Sequence, residues 1–339
     1  MHERDRVTPA YAADRSQWVD VAKAVAIIGV VLFHAGSLAS VNDQAARVWR
    51  VVDIGIFTFI LPLFFLLSGL FVGRSLGLPQ LAYLRTKVWP VAYLWIAWSS
   101  LFVVLFWVTG GRLGATVLAT LTLHTILWYL AALAVHLTVA RLTRTVPASI
   151  QLAAALLLAV PFAILQPFEG WGLAHTPHFY IFFLVGVLLR DQIIEAVRVG
   201  RAVHMMIFVA VGMLLLAVAG VLPQTDRVVY ALAPLVAVPI ILIISRMLTG
   251  WSVVAGPAAY LGRRTLSVFV THPLVIQLVG LAVVDRNVGV AFAGLLPIFA
   301  LSIALVVGLA ADLILGRVPG VFGPPRREGG LAEKGYGRA

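Results

Sequence analysis

A chain of 339 residues that is 61% hydrophobic and only 12% charged carries more apolar surface than a soluble core uses, and it reads as a polytopic membrane protein. The absence of cysteine excludes disulfides, thiolate nucleophiles and cysteine-ligated zinc. The net charge of +11 suggests a nucleic-acid partner only until the positions of the charges are read, because they gather in alternate loops between apolar segments.

The first apolar segment, 19–39, reads VDVAKAVAIIGVVLFHAGSLA and is long enough to cross a bilayer as a helix. It holds Lys23 and His34 with ten residues between them. Ionisable groups inside such a segment are costly, which makes them functional candidates. Eleven helical steps of about 100° return to nearly the same face, roughly 16 Å along the axis. Asp20, fourteen steps before His34, falls near that face as well. The small residues Ala39 and Ser40 imitate a signal-peptide cleavage site. The length of the segment, its buried lysine and the many later spans predict an uncleaved helix instead. A neutral imidazole at His34 can take a proton from a hydroxyl and return it to a leaving group. Lys23 is expected to bind ligand or couple to Asp20, with snorkelling to headgroups as its structural alternative.

Apolar windows give about ten spans: 19–39, 53–73, 87–108, 115–140, 150–165, 177–190, 203–222, 228–247, 260–280 and 290–315. Pro161, Pro167 and Pro177 cluster around the short fifth and sixth, which admits a re-entrant pair there. With the N-terminus inside, nineteen Lys and Arg fall in the inside loops or at the span ends that border them and five on the outside, and Lys23 lies deeper within a span. This positive-inside bias predicts an all-α bundle of about ten transmembrane helices in a cell inner or plasma membrane, with both termini cytoplasmic. Residues 1–317 read as one transmembrane domain. Residues 318–339, rich in Gly, Pro and Arg, read as a disordered basic cytoplasmic tail.

The second span ends LPLFFLLSGLFVGR, where Ser68-Gly69 permits close helix approach and Arg74 marks the cytoplasmic edge. Arg85 and Lys87 follow just before Pro90; with Arg74 they suit phosphates, or they anchor the topology. The fourth span opens HTILWYL, placing His124, Trp128 and Tyr129 near the outer surface, either as an aromatic belt or as a platform for a sugar ring. His175 and His178 flank Pro177 and read as exposed loop histidines. His272, with Thr265 seven residues earlier and Pro273 beside it, lies in the ninth span as a functional or helix-bonding histidine. No histidine pair has the i, i+4 spacing of a helical zinc site, so no metal is expected. No phosphate-binding loop, nucleophile elbow or dinucleotide fingerprint occurs.

Taken together, WVDVAKAVAIIGVVLFHA, PLFFLLSG, the basic stretch with Arg74, Lys87 and Pro90, LWYL, FFLVG around Gly186 and LGRRTLSVFVTH resemble, in the same order, the blocks of the membrane-bound acyltransferase-3 family. The resemblance covers about residues 15–275. The chain departs from the family's pattern in having Arg85 and Lys87 two apart where many members carry paired arginines. Thr265 stands where a Ser is usual, and Phe269 where a Tyr is usual. The resemblance implies an O-acyltransferase that uses acyl-CoA, often acetyl-CoA, as donor substrate with no permanently bound cofactor. The implied acceptor is a hydroxyl on a carbohydrate, a cell-envelope glycan or a glycolipid, or alternatively a macrolide. On that basis coenzyme A is expected at Lys23, Arg74, Arg85 and Lys87. His34 is expected as general base or transient acyl carrier, Asp20 as the partner of Lys23, and His272 as a group that positions the acceptor or stabilises the oxyanion. His124, Trp128 and Tyr129 are expected on the acceptor side. A transporter or flippase of a polar or lipid-linked solute is the alternative class. The lack of an evident internal repeat and of paired interrupted helices speaks against it.

Overall fold

The computed structural model describes residues 9–108, 126–165, 176–198, 225–283 and 288–325, together with residues 120 and 211. Every regular element among the described residues is helical. In chain order they are α1 (Pro9–Gly36), α2 (Asp43–Leu70), α3 (Gln80–Tyr83), α4 (Trp89–Val108), α5 (Trp128–Leu142) and α6 (Ala148–Leu165). There follow α7 (Thr176–Leu188), α8 (Arg190–Arg198), α9 (Thr225–Leu248), α10 (Ser252–Gly262), α11 (Thr265–Val283) and α12 (Val290–Leu315).

Among the described residues, six helical stretches are long and apolar enough to cross a membrane: Gln17–Val41, Asp43–Leu70, Gln80–Val108, Ala231–Leu248, Thr265–Val283 and Val290–Leu315. Trp128–Leu142, Ala148–Pro161 and Thr176–Leu188 are apolar but shorter. The expected span at 203–222 lies outside the described residues apart from residue 211. The second helix begins ten residues earlier than the expected span, because Asn42 caps it. The Asn42 side-chain oxygen accepts from the amides of Gln44 and Ala45 at 3.1 and 3.3 Å.

The polarity pattern is that of a membrane bundle. Val104, Phe106, Trp107 and Val108 on α4 and Val306, Leu313 and Ile314 on α12 are exposed, while His136, Arg141 and His272 are buried. α1 is the hub, packed against α2, α9, α10, α11 and α12. Glycine makes the closest approaches. A Cβ on Gly69 of α2 would overlap the Phe183 carbonyl oxygen of α7, and one on Gly186 of α7 would overlap that of Leu66. The Ser68-Gly69 step thus meets Gly186 as a small-residue seam.

The α2–α3 link, which carries Arg74, is tied down by arginines. Arg141 donates to the carbonyls of Leu76 and Leu78 at 2.8 and 2.7 Å, Arg144 donates to Leu76 at 2.8 Å, and Arg190 donates to Leu70 at 2.9 Å. Between α3 and α4 the helix widens into a π turn, Leu84–Val88, with the Trp89 amide bonded to the Leu84 carbonyl. Pro90 lacks an amide hydrogen and would crowd the Thr86 carbonyl of a regular helix, so the ladder loosens just ahead of it.

The first eight residues of the expected tail, 318–325, are not free. They fold back along α4, with Tyr93 and Trp98 donating to the carbonyls of Gly320 and Val321.

Candidate active site

Two cavities open on one side of α1. The larger, about 450 Å3, lies at the Lys23 end and is lined by Lys23, Phe71, Lys87, Thr265 and Phe322 among others. The smaller, about 280 Å3, lies at the His34 end between Phe33, His34, Phe57, Ile60 and Trp128. Tyr129 and Phe269 line both, so these two rings form the wall between them. Their centroids are 5.6 Å apart, edge to face, and the Tyr129 hydroxyl is fixed by Ser68 Oγ at 2.9 Å.

At the Lys23 end, Lys23 Nζ stands 3.8 Å from Asp20 Oδ1 and 5.1 Å from the centroid of the Phe71 ring. Asp20 Oδ2 accepts from Arg263 Nη1 at 3.4 Å. One carboxylate therefore sits between two cations, and the cluster keeps a net positive charge at the cavity's edge. α10 can bring Arg263 there because Gly262 has no Cβ; one would overlap the Asp20 carbonyl oxygen. In the sequence Arg263 is one more loop cation, and nothing in its spacing announces Asp20 as its partner. Lys87, turned by the π turn, lines the same cavity as Lys23. Arg74 and Arg85 are exposed and do not line it.

At the other end, the His34 ring is 5.3 Å from Phe33 and 5.4 Å from His272, centroid to centroid. His272 is 0% exposed. Its Nδ1 lies 2.7 Å from the Phe269 carbonyl oxygen. The chain itself explains that contact. Residue 273 is proline, so the Phe269 carbonyl has no helical amide to accept from, and the His272 N–H takes its place. With the proton on Nδ1, a neutral His272 presents Nε2 as an acceptor, and that atom is buried without a hydrogen-bond partner among the described residues. In this tautomer the free Nε2 accepts and does not donate, which suits holding an N–H better than stabilising an oxyanion.

Trp128 and Tyr129 are 6% and 7% exposed, so they form cavity wall and not a lipid-facing belt. His124 and His175 lie outside the described residues. His178 is helical and buried against Phe179 and Phe182, not an exposed loop histidine. Two polar groups in the bundle carry no motif in the sequence. His136, with Nε2 2.9 Å from the Thr176 carbonyl, ties α5 to the start of α7. The carboxylate of Asp53 lies against Gly36, two residues beyond His34. Among the described residues no three histidine or acidic side chains group as metal ligands.

Apolar helices long enough to cross a membrane, with ionisable groups turned toward two adjacent cavities, mark a multi-pass membrane protein. A family model described as an acyltransferase domain, that of acyltransferase-3, matches residues 16–310 and so takes in every cavity-lining residue named above except Phe322. The chain belongs to the acyltransferase-3 family and is a membrane acyltransferase. Searches of curated proteins and of solved structures returned no match.

Proposed function

We propose that the protein transfers an acyl group, acetyl in the simplest case, from acyl-coenzyme A to a hydroxyl of a carbohydrate or cell-envelope glycan, with His34 as general base. The observation that carries this reading is the pair of cavities on one face of α1, cationic at Lys23 and Lys87 and bearing an imidazole at His34. The coenzyme phosphates are held at the cytosolic mouth by Lys23 and Lys87, with the exposed Arg74 and Arg85 drawing the anion in. Asp20 shares its charge between Lys23 and Arg263 and so fixes the direction of the lysine. The thioester arm runs past Tyr129 and Phe269 to His34. The acceptor reaches His34 from the opposite side, against Trp128 and Tyr129, with His124 also on that side in the sequence.

The acceptor hydroxyl gives its proton to one ring nitrogen of His34 while its oxygen attacks the thioester carbonyl. The tetrahedral intermediate collapses with cleavage of the C–S bond, and the coenzyme thiolate takes the proton back from His34. His272 acts through His34. The two rings lie 5.4 Å apart, centroid to centroid, and His272 Nε2 has no hydrogen-bond partner among the described residues. A turn of the His34 ring during the reaction brings one of its N–H groups to that free acceptor, which then sets the His34 tautomer and supports the imidazolium as it forms.

The test is incubation of the purified protein with labelled acetyl-coenzyme A and an envelope glycan extract. Label transferred to glycan by the wild type and not by His34→Ala supports the reading. Solute movement across vesicles without consumption of the thioester would replace it with transport.

A further inference from the structure

Residues 318–325 leave α12 and run back beside α4 as a non-helical strap. Irregular backbone among membrane-spanning helices is tolerated only where its polar groups are satisfied. Two side chains of α4 do this. Tyr93 Oη donates to the Gly320 carbonyl and Trp98 Nε1 to the Val321 carbonyl, both at 2.9 Å. The Trp98 ring stacks on Phe322, 6.1 Å between centroids and 18° between planes. Gly320 has φ +92°, a conformation side chains rarely adopt, and a Cβ there would stand 3.1 Å from Tyr93 Oη. The path of the strap is therefore fixed at three consecutive residues, Gly320, Val321 and Phe322. Its result is that the Phe322 ring becomes part of the wall of the Lys23 cavity.

The match to the acyltransferase family ends at residue 310, short of this strap. We infer that the strap is a donor-binding element, with Phe322 packing against the flexible thioester arm of acyl-coenzyme A. This inference rests on the reading of the Lys23 cavity as the donor site. The chemistry fits the ligand class. The cations Lys23 and Lys87 take the anionic end, and beside them the cavity is lined by Phe71, Leu94, Leu133 and Phe322, which suit the long, weakly polar arm. Such an arm loses much conformational freedom on binding, and a wall already held in place by Tyr93 and Trp98 adds little ordering cost of its own.

The experiment uses the full chain in lipid nanodiscs and coenzyme A as the probe, reading both affinity and the thermal shift that saturating probe produces. Phe322→Ala is expected to bind about tenfold more weakly, and Phe322→Tyr, which keeps the ring, close to wild type. Gly320→Val changes no cavity-lining side chain, but it displaces the strap and is expected to weaken binding to a similar degree. The melting temperature without probe should stay near that of the wild type in Phe322→Ala while the probe-induced shift shrinks, which a merely structural role would not produce. If Phe322→Ala does not fold, the comparison of Gly320→Val with Phe322→Tyr decides. A wild type that binds coenzyme A, with Gly320→Val and Phe322→Ala binding it equally well, overturns the strap's role and leaves the donor site standing. A wild type that binds no coenzyme A overturns the donor reading itself, and this inference with it.

Discussion

Replacing His272 with asparagine separates the contact the structure shows at this residue from the role proposed for it. The asparagine amide N–H occupies nearly the place of Nδ1 and keeps a donor for the Phe269 carbonyl, which Pro273 leaves without a helical amide. It removes Nε2, the acceptor proposed to hold His34. His272→Asn should therefore fold, whereas His272→Ala leaves a buried carbonyl unpaired at a cost of about 1–3 kcal/mol, before any cavity cost. Groups that orient a reacting imidazole or ligand typically contribute about 10–100-fold, which is about 1.4–2.7 kcal/mol of transition-state stabilisation. The assay is steady-state acyl transfer at saturating donor, with donor affinity measured separately. His272→Asn is expected to lower kcat by that factor and leave donor affinity unchanged. Combined with His34→Ala it should add little, because residues acting as a unit are not additive. Full activity in a folded His272→Asn protein, or losses that multiply in the double variant, would refute the positioning role.

Pro273→Ala restores an amide to the Phe269 carbonyl, so the helix should gain about 0.5–1.5 kcal/mol, read by thermal unfolding. Transfer should fall severalfold because His272 is no longer fixed in one tautomer. Lys23→Met and Lys87→Met should each raise KM for acyl-coenzyme A more than they lower kcat, and the salt dependence of KM should flatten, since each removes one cation from the same cavity. Gly186→Val drives a side chain into the Leu66 carbonyl of α2. It should destabilise the bundle by about 1–3 kcal/mol or more, read as loss of monodisperse protein in detergent.

Much of the bundle was legible because transmembrane helices announce themselves by length and apolarity. The same holds for Lys23 and His34, whose cost in such a helix does not depend on what surrounds them. Lys87 was legible as a basic residue, but its separation from the exposed Arg85 was not. That depends on the π turn Pro90 forces, a local effect whose direction only the packed helix reveals. Trp128 and Tyr129 have the composition of an interfacial belt, and only the packing of α5 against α2 and α7 turns them inward. Arg263 was hidden for a different reason. Its partner Asp20 lies 243 residues away, and Gly262 makes the approach possible only in three dimensions. The strap was least legible of all. Gly, Pro and Arg are the composition of a tail, and the two donors that hold it lie 227 and 223 residues earlier in the chain.

The most direct measurement is the rate of acyl transfer by His34→Ala set beside its affinity for coenzyme A. The account expects affinity within about twofold of wild type and a transfer rate reduced by roughly 10²–10⁴. A folded His34→Ala protein that binds donor and transfers acyl groups at the wild-type rate would contradict it.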